Sequence, residues 1–341
     1  MAAVKTVFMA SDAIALPVLK ELLKHHGREI ELIGLITQPD RPKGRGLKVH
    51  ANAIKQHFQP TGLPVLQPQS IGPVEMDWLR QSSCALILVM AYGHFLQQAL
   101  LDLPRLGALN IHPSLLPAYR GATPIEGALA SSDAETGTTL MRISMQMDAG
   151  PILSQLRLPI SPEDTAPRLR AKLADLSARL LGEHLPEILA NAGHARPQDE
   201  QKASYTRPLT KADAGLDFSA PAQCLANRIR ALQPWPGTCF QYQGQRIKVA
   251  KASFRAGAVP APPCTVLAPD REALVVATGD GVLLLRKLQR PGGRMLPAAD
   301  FLRGLPIPQG TLLESLPMPP LVSPTPFAKQ RKTPRIYPGP N

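Results

Sequence analysis

An apolar run over residues 4–10, a helix-like stretch over 17–26 and a second β-rich run over 29–37 follow one another at the start of the chain. Strands that stay apolar along their length, rather than alternating with polar residues, are buried on both faces. That pattern fits a βαβ unit in a helix-covered parallel sheet. Further strands are expected at 84–90 and 107–111, with a helix near 124–131. Leu169, Leu173, Leu176 and Leu180 recur at helical spacing, which predicts an amphipathic helix over about 166–185 with its leucines in the core. The predicted class is α/β, and 341 residues suffice for two cored domains.

The second half reads differently. Residues 191–216 mix Gly, Pro, Asp and Gln without sustained periodicity, as a linker does. After a helix expected at 222–232, short β-like runs at 239–242, 246–250, 273–277 and 281–287 alternate with turn-rich sequence. The glycines of TGDG at 278–281 and YQGQ at 242–245 fit hairpins, so a small β-barrel is expected there. From residue 311 onward, eight of 31 residues are proline and the charge is +3, which predicts an extended tail with little means to bury its backbone. The expected organisation is a catalytic domain over 1–190, a linker over 191–216, a barrel over 217–310 and a basic proline-rich tail over 311–341.

Charge separates the same two halves. Residues 1–190 carry 18 basic and 17 acidic side chains, whereas 191–341 carry 20 and 9, so almost all of the +12 net charge lies in the second half. A near-neutral chemical domain joined to a basic one favours a polyanionic partner. Cys84, Cys224, Cys239 and Cys264 form no CxxC pair, which suits a reducing compartment. The longest apolar run, residues 84–92, is too short to span a bilayer, and no signal-peptide pattern opens the chain. A soluble, cytoplasmic protein is expected, without membrane association and as a monomer.

The densest polar signal is Asn110-Ile111-His112, at the end of an apolar strand and just before a turn-prone segment. Strand periodicity puts Asn110 and His112 on one face and Ile111 on the other. The carboxyl edge of a parallel sheet is a common place for a reactive site. Asp148 follows another β-like run, 138–144, and its loop can approach the same edge. These groups suit acyl transfer to an amine. Asn110 can donate to an oxygen becoming negative, His112 can donate when charged or exchange a proton, and Asp148 can orient the imidazole or raise its basicity. Taken alone, Asn-Ile-His also serves structural roles in loops, and Asp-Ala-Gly makes an ordinary turn. Ser114 stands near His112, but nothing assigns it a hydrolase relay. The histidines form no spaced ligand cluster, His94 beside Tyr92 reads as a pocket or packing residue, and no metal is expected.

The segment NIHPSLLPAYRG at 110–121, with MDAG at 147–150, resembles the signature of the folate-dependent formyltransferase superfamily. With QPDRPKGRG at 38–46, AYG at 91–93 and QPWPG at 233–237, the chain resembles the methionyl-tRNA formyltransferase family over roughly residues 4–310. The resemblance implies an N-terminal Rossmann-like domain with a mostly parallel sheet, and a tRNA-binding C-terminal barrel related to the oligonucleotide-binding fold. It implies 10-formyltetrahydrofolate as donor cosubstrate and the α-amino group of methionyl initiator tRNA as acceptor. The family's catalytic Asn, His and Asp fall on Asn110, His112 and Asp148. The folate pocket is expected at Leu88, Met90, Tyr92, Gly93, Phe95, Leu140 and Gly150. The signature loop comprises Ser114, Leu115, Leu116, Pro117, Arg120 and Gly121.

Two positions depart from the family pattern. Ala10-Ser11-Asp12 stands where Gly-Thr-Pro is usual, and Asp148-Ala149-Gly150 where Asp-Thr-Gly is usual; neither removes a proposed chemical group. Arg41, Lys43, Arg45 and Lys48 stand against a single Asp40, and the first three lie among Pro and Gly. A solvated charged loop has the same composition, but the resemblance makes this segment the insertion that meets the tRNA acceptor arm. Two rivals share parts of the pattern: a formyltransferase acting on glycinamide ribonucleotide or an amino sugar, and a noncatalytic RNA-binding protein. Neither accounts for both the intact polar residues and the basic loop with a basic second half.

Overall fold

The computed structural model describes residues 2–43, 48–191, 194–259, 261–268 and 270–328, with 41–43 and 48 described through their backbone. Strand β1 (Val4–Ala10), helix α1 (Leu16–His25) and strand β2 (Ile30–Ile36) form the predicted βαβ unit, the strands pairing in parallel. A hairpin of β3 (Arg41–Lys43) and β4 (Lys48–His50) precedes α2 (Ala53–Phe58), β5 (Val65–Leu66), α3 (Pro73–Gln81) and β6 (Leu86–Met90). Then come α4 (Gln98–Leu101), β7 (Ala108–His112), β8 (Arg120–Gly121), α5 (Pro124–Ala130), β9 (Glu135–Arg142), β10 (Ile152–Pro159) and α6 (Ala166–Leu189).

Seven of these strands form one sheet in the order β10-β9-β7-β6-β1-β2-β5. Its pairs are parallel except β7 with β9 and β9 with β10. Both faces are buried, which is why the strands lack polar alternation. Phe8, Leu88 and Ile111 pack with the α1 and α6 leucines on one side, while Val7, Met9, Ile87 and Val89 pack with Leu79 and Leu100 on the other. Leu169, Leu173 and Leu180 are fully buried and Leu176 nearly so. Helix α6 runs past its expected end because Leu185 and Ile188 continue the same apolar stripe.

The segment expected to be a plain linker contains order of its own. It holds short 3-10 turns at Glu200–Lys202 and Lys211–Ala214 and the strand β11 (Tyr205–Thr206). A two-residue strand leaves no periodicity in a sequence, so the linker reading could not resolve it.

Beyond α7 (Ala222–Ala231) lie β12 (Thr238–Tyr242), β13 (Gln245–Arg255), β14 (Leu274–Ala277), β15 (Val282–Gln289), β16 (Leu296–Pro297) and α8 (Ala298–Gly304). The β12–β13 hairpin turns on Gln243 and Gly244, both at positive φ, which matches a two-residue turn to the strand twist. The antiparallel ladder runs β12-β13-β15-β14. It then passes from β14 to Thr265 and Val266, from these to residues 311–313, and from Glu314 back to Gln241 of β12. The circle closes around Phe218, Phe240, Ile247, Val276, Leu283 and Phe301.

Residues 311–314, expected in the tail on proline content, therefore complete the barrel. The chain then returns toward the first domain. Arg228 donates to the Pro319 carbonyl and Arg207 to that of Pro320. Strand β17 (Val322–Ser323) pairs with β11, and β11 pairs with β8. Leu313 and Leu321 are buried, so part of the stretch expected to have little means to bury its backbone is anchored by side chains. Its backbone is paired at Leu312, Glu314 and β17, and residues 329–341 of the expected tail lie outside the described residues.

Candidate active site

Strand β7 ends at the carboxyl edge of the sheet, next to β6 on one side and the antiparallel β9 on the other. Ile111 is buried among the leucines, and alternation turns Asn110 and His112 the other way. Both line a cavity of about 540 Å³, and so does Asp148, which the 143–151 loop carries over the edge.

His112 is buried, and its Nε2 lies 3.0 Å from the Tyr119 carbonyl oxygen. A carbonyl only accepts, so Nε2 carries the hydrogen, and in the neutral ring Nδ1 holds the lone pair. Nδ1 faces Asp148 Oδ2 at 3.7 Å. That separation is too long for a direct hydrogen bond, yet close enough for the carboxylate to stabilise an imidazolium. The same Oδ2 accepts from the Gly121 N–H at 2.8 Å. Asp148 has φ of 52°, a left-handed conformation that costs a non-glycine residue free energy and needs neighbours to hold it.

Of the signature loop only Gly121 lines the cavity; the rest braces the site from outside it. Ser114 Oγ donates to the Ala118 carbonyl, and the Ser114 carbonyl and Leu116 N–H bond Thr139 Oγ1 on β9. Leu115 packs over Gly137, and the Pro117 carbonyl accepts from the Ser204 N–H. Ser114 is thus a structural hydroxyl. Tyr119, whose carbonyl orients His112, is anchored at its other end by a 2.6 Å hydrogen bond to Asp133. Burial, and then Asp133, raise its phenol above the ordinary tyrosine value. Arg120 is buried and pairs with Glu200, which keeps the guanidinium charged and the Glu200 carboxyl below its usual range. At Gly121, φ is 112° and a Cβ would run into the Thr206 carbonyl, so the β8–β11 approach requires glycine.

The expected folate residues divide. Tyr92, Gly93 and Phe95 line the cavity, and Phe95 is exposed. Leu88, Met90 and Leu140 do not: their side chains are fully buried on the opposite face of the sheet, and the cavity is met instead by their strand neighbours Val89, Ala91 and Met141. One step along a strand reverses a side chain. Gly150 also lies outside the lining, in a loop so close that a Cβ would strike the Arg142 carbonyl. Arg41, Lys43 and Lys48 belong to the paired backbone of the β3–β4 hairpin, and Arg45 lies outside the described residues.

At the cavity mouth, Asp12 caps the turn that follows β1 by accepting from the Ile14 N–H, and it pairs with Arg170 of α6 at 2.8 Å. Glu126 lines the same mouth, its carboxyl raised by burial. The departure at Asp12 therefore places a charge pair where the family pattern has proline. Sequence reasoning missed Arg170 and Glu126, which sit on helices with nothing but their charge to mark them.

Residues 4–185 match the Formyl transferase family and 208–306 match Formyl transferase, C-terminal domain. The chain is 41% identical to the methionyl-tRNA formyltransferase of Thiobacillus denitrificans, over 91% of this chain and 99% of that one. It is 40% identical to that of Roseiflexus castenholzii, over 91% and 98%. The chain belongs to the methionyl-tRNA formyltransferase family. Among solved structures, a Helicobacter canadensis N-formyltransferase in complex with folinic acid and dTDP-3-aminofucose superposes with a TM-score of 0.62, covering 83% of this chain and 99% of that one. At 17% identity it shows a shared fold. The chain joins a mostly parallel sheet to an antiparallel barrel. Among the described residues no helix is long and apolar enough to cross a membrane, and no three His, Cys, Asp or Glu side chains cluster as metal ligands.

Proposed function

We propose that the protein transfers the formyl group of 10-formyltetrahydrofolate to the α-amino group of methionine on initiator tRNA, acting in the cytoplasm as a monomer. The observation that carries this reading is the convergence of Asn110, His112 and the Asp148 carboxylate on one cavity at the sheet's carboxyl edge. The relatives bear the name of that reaction.

The acceptor amine must shed its ammonium proton before it attacks. His112 Nδ1 is the lone pair within reach, because Nε2 is tied to Tyr119, and Asp148 favours the imidazolium that results. As charge develops on the formyl oxygen, the Asn110 amide and the imidazolium donate to it. The imidazolium passes that proton to the leaving nitrogen, and the freed Nδ1 takes the second proton from the former amine nitrogen and gives it up to solvent, so one proton is released overall. Asn110, His112 and Asp148 contribute by being in place before the reaction rather than by large movement.

The lining fits a flat, partly polar donor. Val89, Ile143 and Phe95 supply apolar walls beside the 91–96 stretch. Tyr92, Gly93 and Phe95 would hold the donor's ring, with Leu88, Met90 and Leu140 bracing the wall from behind and Gly150 letting the loop close. The acceptor arm would meet Arg41, Lys43, Arg45 and Lys48, while the basic second half tracks the tRNA backbone. The test is formyl transfer to methionyl initiator tRNA with glycinamide ribonucleotide as competing acceptor. Formylated methionine with no formylated nucleotide supports the reading. Preference for the nucleotide, or no transfer to either, defeats it.

A further inference from the structure

Gln198 lies in the segment between the two matched regions, 4–185 and 208–306, and outside every group used in the chemistry above. Its side-chain amide makes four hydrogen bonds to nitrogen and oxygen partners, and Nε2 also lies 4.0 Å from Met141 Sδ. Oε1 accepts from Arg120 Nε at 3.1 Å and Arg120 Nη2 at 2.9 Å. Nε2 donates to the Asp148 carbonyl at 2.8 Å and the Gly150 carbonyl at 2.7 Å. The amide's orientation is dictated by its partners, since a guanidinium only donates and a carbonyl only accepts. No other uncharged side chain of this size can accept from a guanidinium on one side and give two hydrogens on the other.

We infer that Gln198 is a positioning residue for Asp148. The two carbonyls it holds bracket Ala149, so the peptide planes on either side of the loop's tip are fixed together. Asp148 sits at φ of 52°, and its carboxylate is held from the other direction by the Gly121 N–H. Gly121 adjoins Arg120, the other partner of Gln198. One amide thus ties the loop that carries the carboxylate to the strand that receives it. Arg120 is in turn gripped by Glu200, two residues after Gln198, so the clamp is anchored in the interdomain segment. Loosening the clamp lets Asp148 relax from its left-handed conformation and moves Oδ2 away from His112 Nδ1. Gln198 does not itself line the substrate cavity and meets it only through a 4.0 Å contact with Met141 Sδ.

This inference rests on the reading of Asp148 as the group that stabilises His112, and the experiment separates the two. Gln198→Glu keeps the volume and the acceptors for Arg120 but sets a carboxylate against two carbonyls. In single-turnover assays, kcat should fall roughly 10- to 100-fold, the effect of misplacing a catalytic group by about an ångström. KM for tRNA and donor should stay within about threefold. The pH–rate profile should change in the same sense as in Asp148→Asn. In the Asp148→Asn background, adding Gln198→Glu should cost less than about threefold more, as expected when one residue acts through the other. Gln198→Met, uncharged and unable to donate, should show the same split and replaces the first variant if that fails to fold. If Asp148→Asn were fully active, both readings would fall. If Asp148→Asn were impaired while both Gln198 variants were normal, or if the two defects multiplied, the role of Gln198 alone would be overturned.

Discussion

Asp213 is fully buried, pairs with Arg207 through both carboxylate oxygens at 2.5 and 2.9 Å, and accepts from the Thr210 N–H. Burial alone would raise its carboxyl, but Arg207 and Thr210 outweigh it and hold the value below the usual aspartate range. A carboxyl whose folded pKa is depressed contributes stability above its unfolded value of about 4, and loses it as pH falls through the folded value. Asp213→Asn should therefore cost about 3 kcal/mol near neutral pH, the order expected for stranding a buried partner. The difference from wild type should shrink below about pH 4. Denaturant melts at pH 7 and pH 3.5 check this, and a pH-independent difference would contradict it. At this scale the sequence spoke unevenly. Asn110 and His112 were legible because strand periodicity fixes their shared face. Alternation also turns Leu88, Met90 and Leu140 inward, a consequence that closeness to the motif along the chain conceals. Gln198 was not legible, since a glutamine in aperiodic sequence shows nothing of the carbonyls it meets.

Among the elements, the short sheet β17-β11-β8 joins parts of the chain that are far apart in sequence. It sets the returning tail against β11, whose other edge pairs with the strand whose Gly121 N–H holds the Asp148 carboxylate. Ending the chain after Glu314 would keep the barrel closure but remove β17, the buried Leu321, one of the two carbonyls that Arg228 uses and the Pro320 carbonyl that Arg207 uses. Losing the burial of one leucine and two charged hydrogen bonds should cost roughly 5 to 9 kcal/mol. The single-turnover rate should fall with it. Calorimetry and rate measurement on the shortened chain check both, and an unaltered melting temperature would show that the strap contributes nothing. Long apolar runs and the α6 leucine stripe announced the main sheet and its cover, because regular periodicity is written in sequence. Two-residue strands such as β8, β11 and β17 are defined only by the partner they meet.

For the whole molecule, charge is the guide to the partner. The near-neutral first half holds the cavity, and the second half carries the basic excess. Replacing Arg41, Lys43 and Arg45 together with Ala should weaken tRNA binding and lower the salt slope by about 2 to 3, roughly one for each phosphate no longer neutralised. Donor binding should change little. Binding measured over a salt series checks this, and wild-type affinity and slope would move the tRNA footprint entirely to the second half.

The central claim is that Asn110 and His112, facing Asp148, carry out formyl transfer to the methionyl amine. Its most direct test is the single-turnover rate of formyl transfer to methionyl initiator tRNA, with tRNA and donor saturating, for wild type, Asn110→Ala and His112→Ala. Each substitution should lower the rate by about 10² to 10³, the usual effect of removing one donor to a developing oxyanion, with binding of both substrates retained. Correctly folded variants that formylate at close to the wild-type rate would contradict the account.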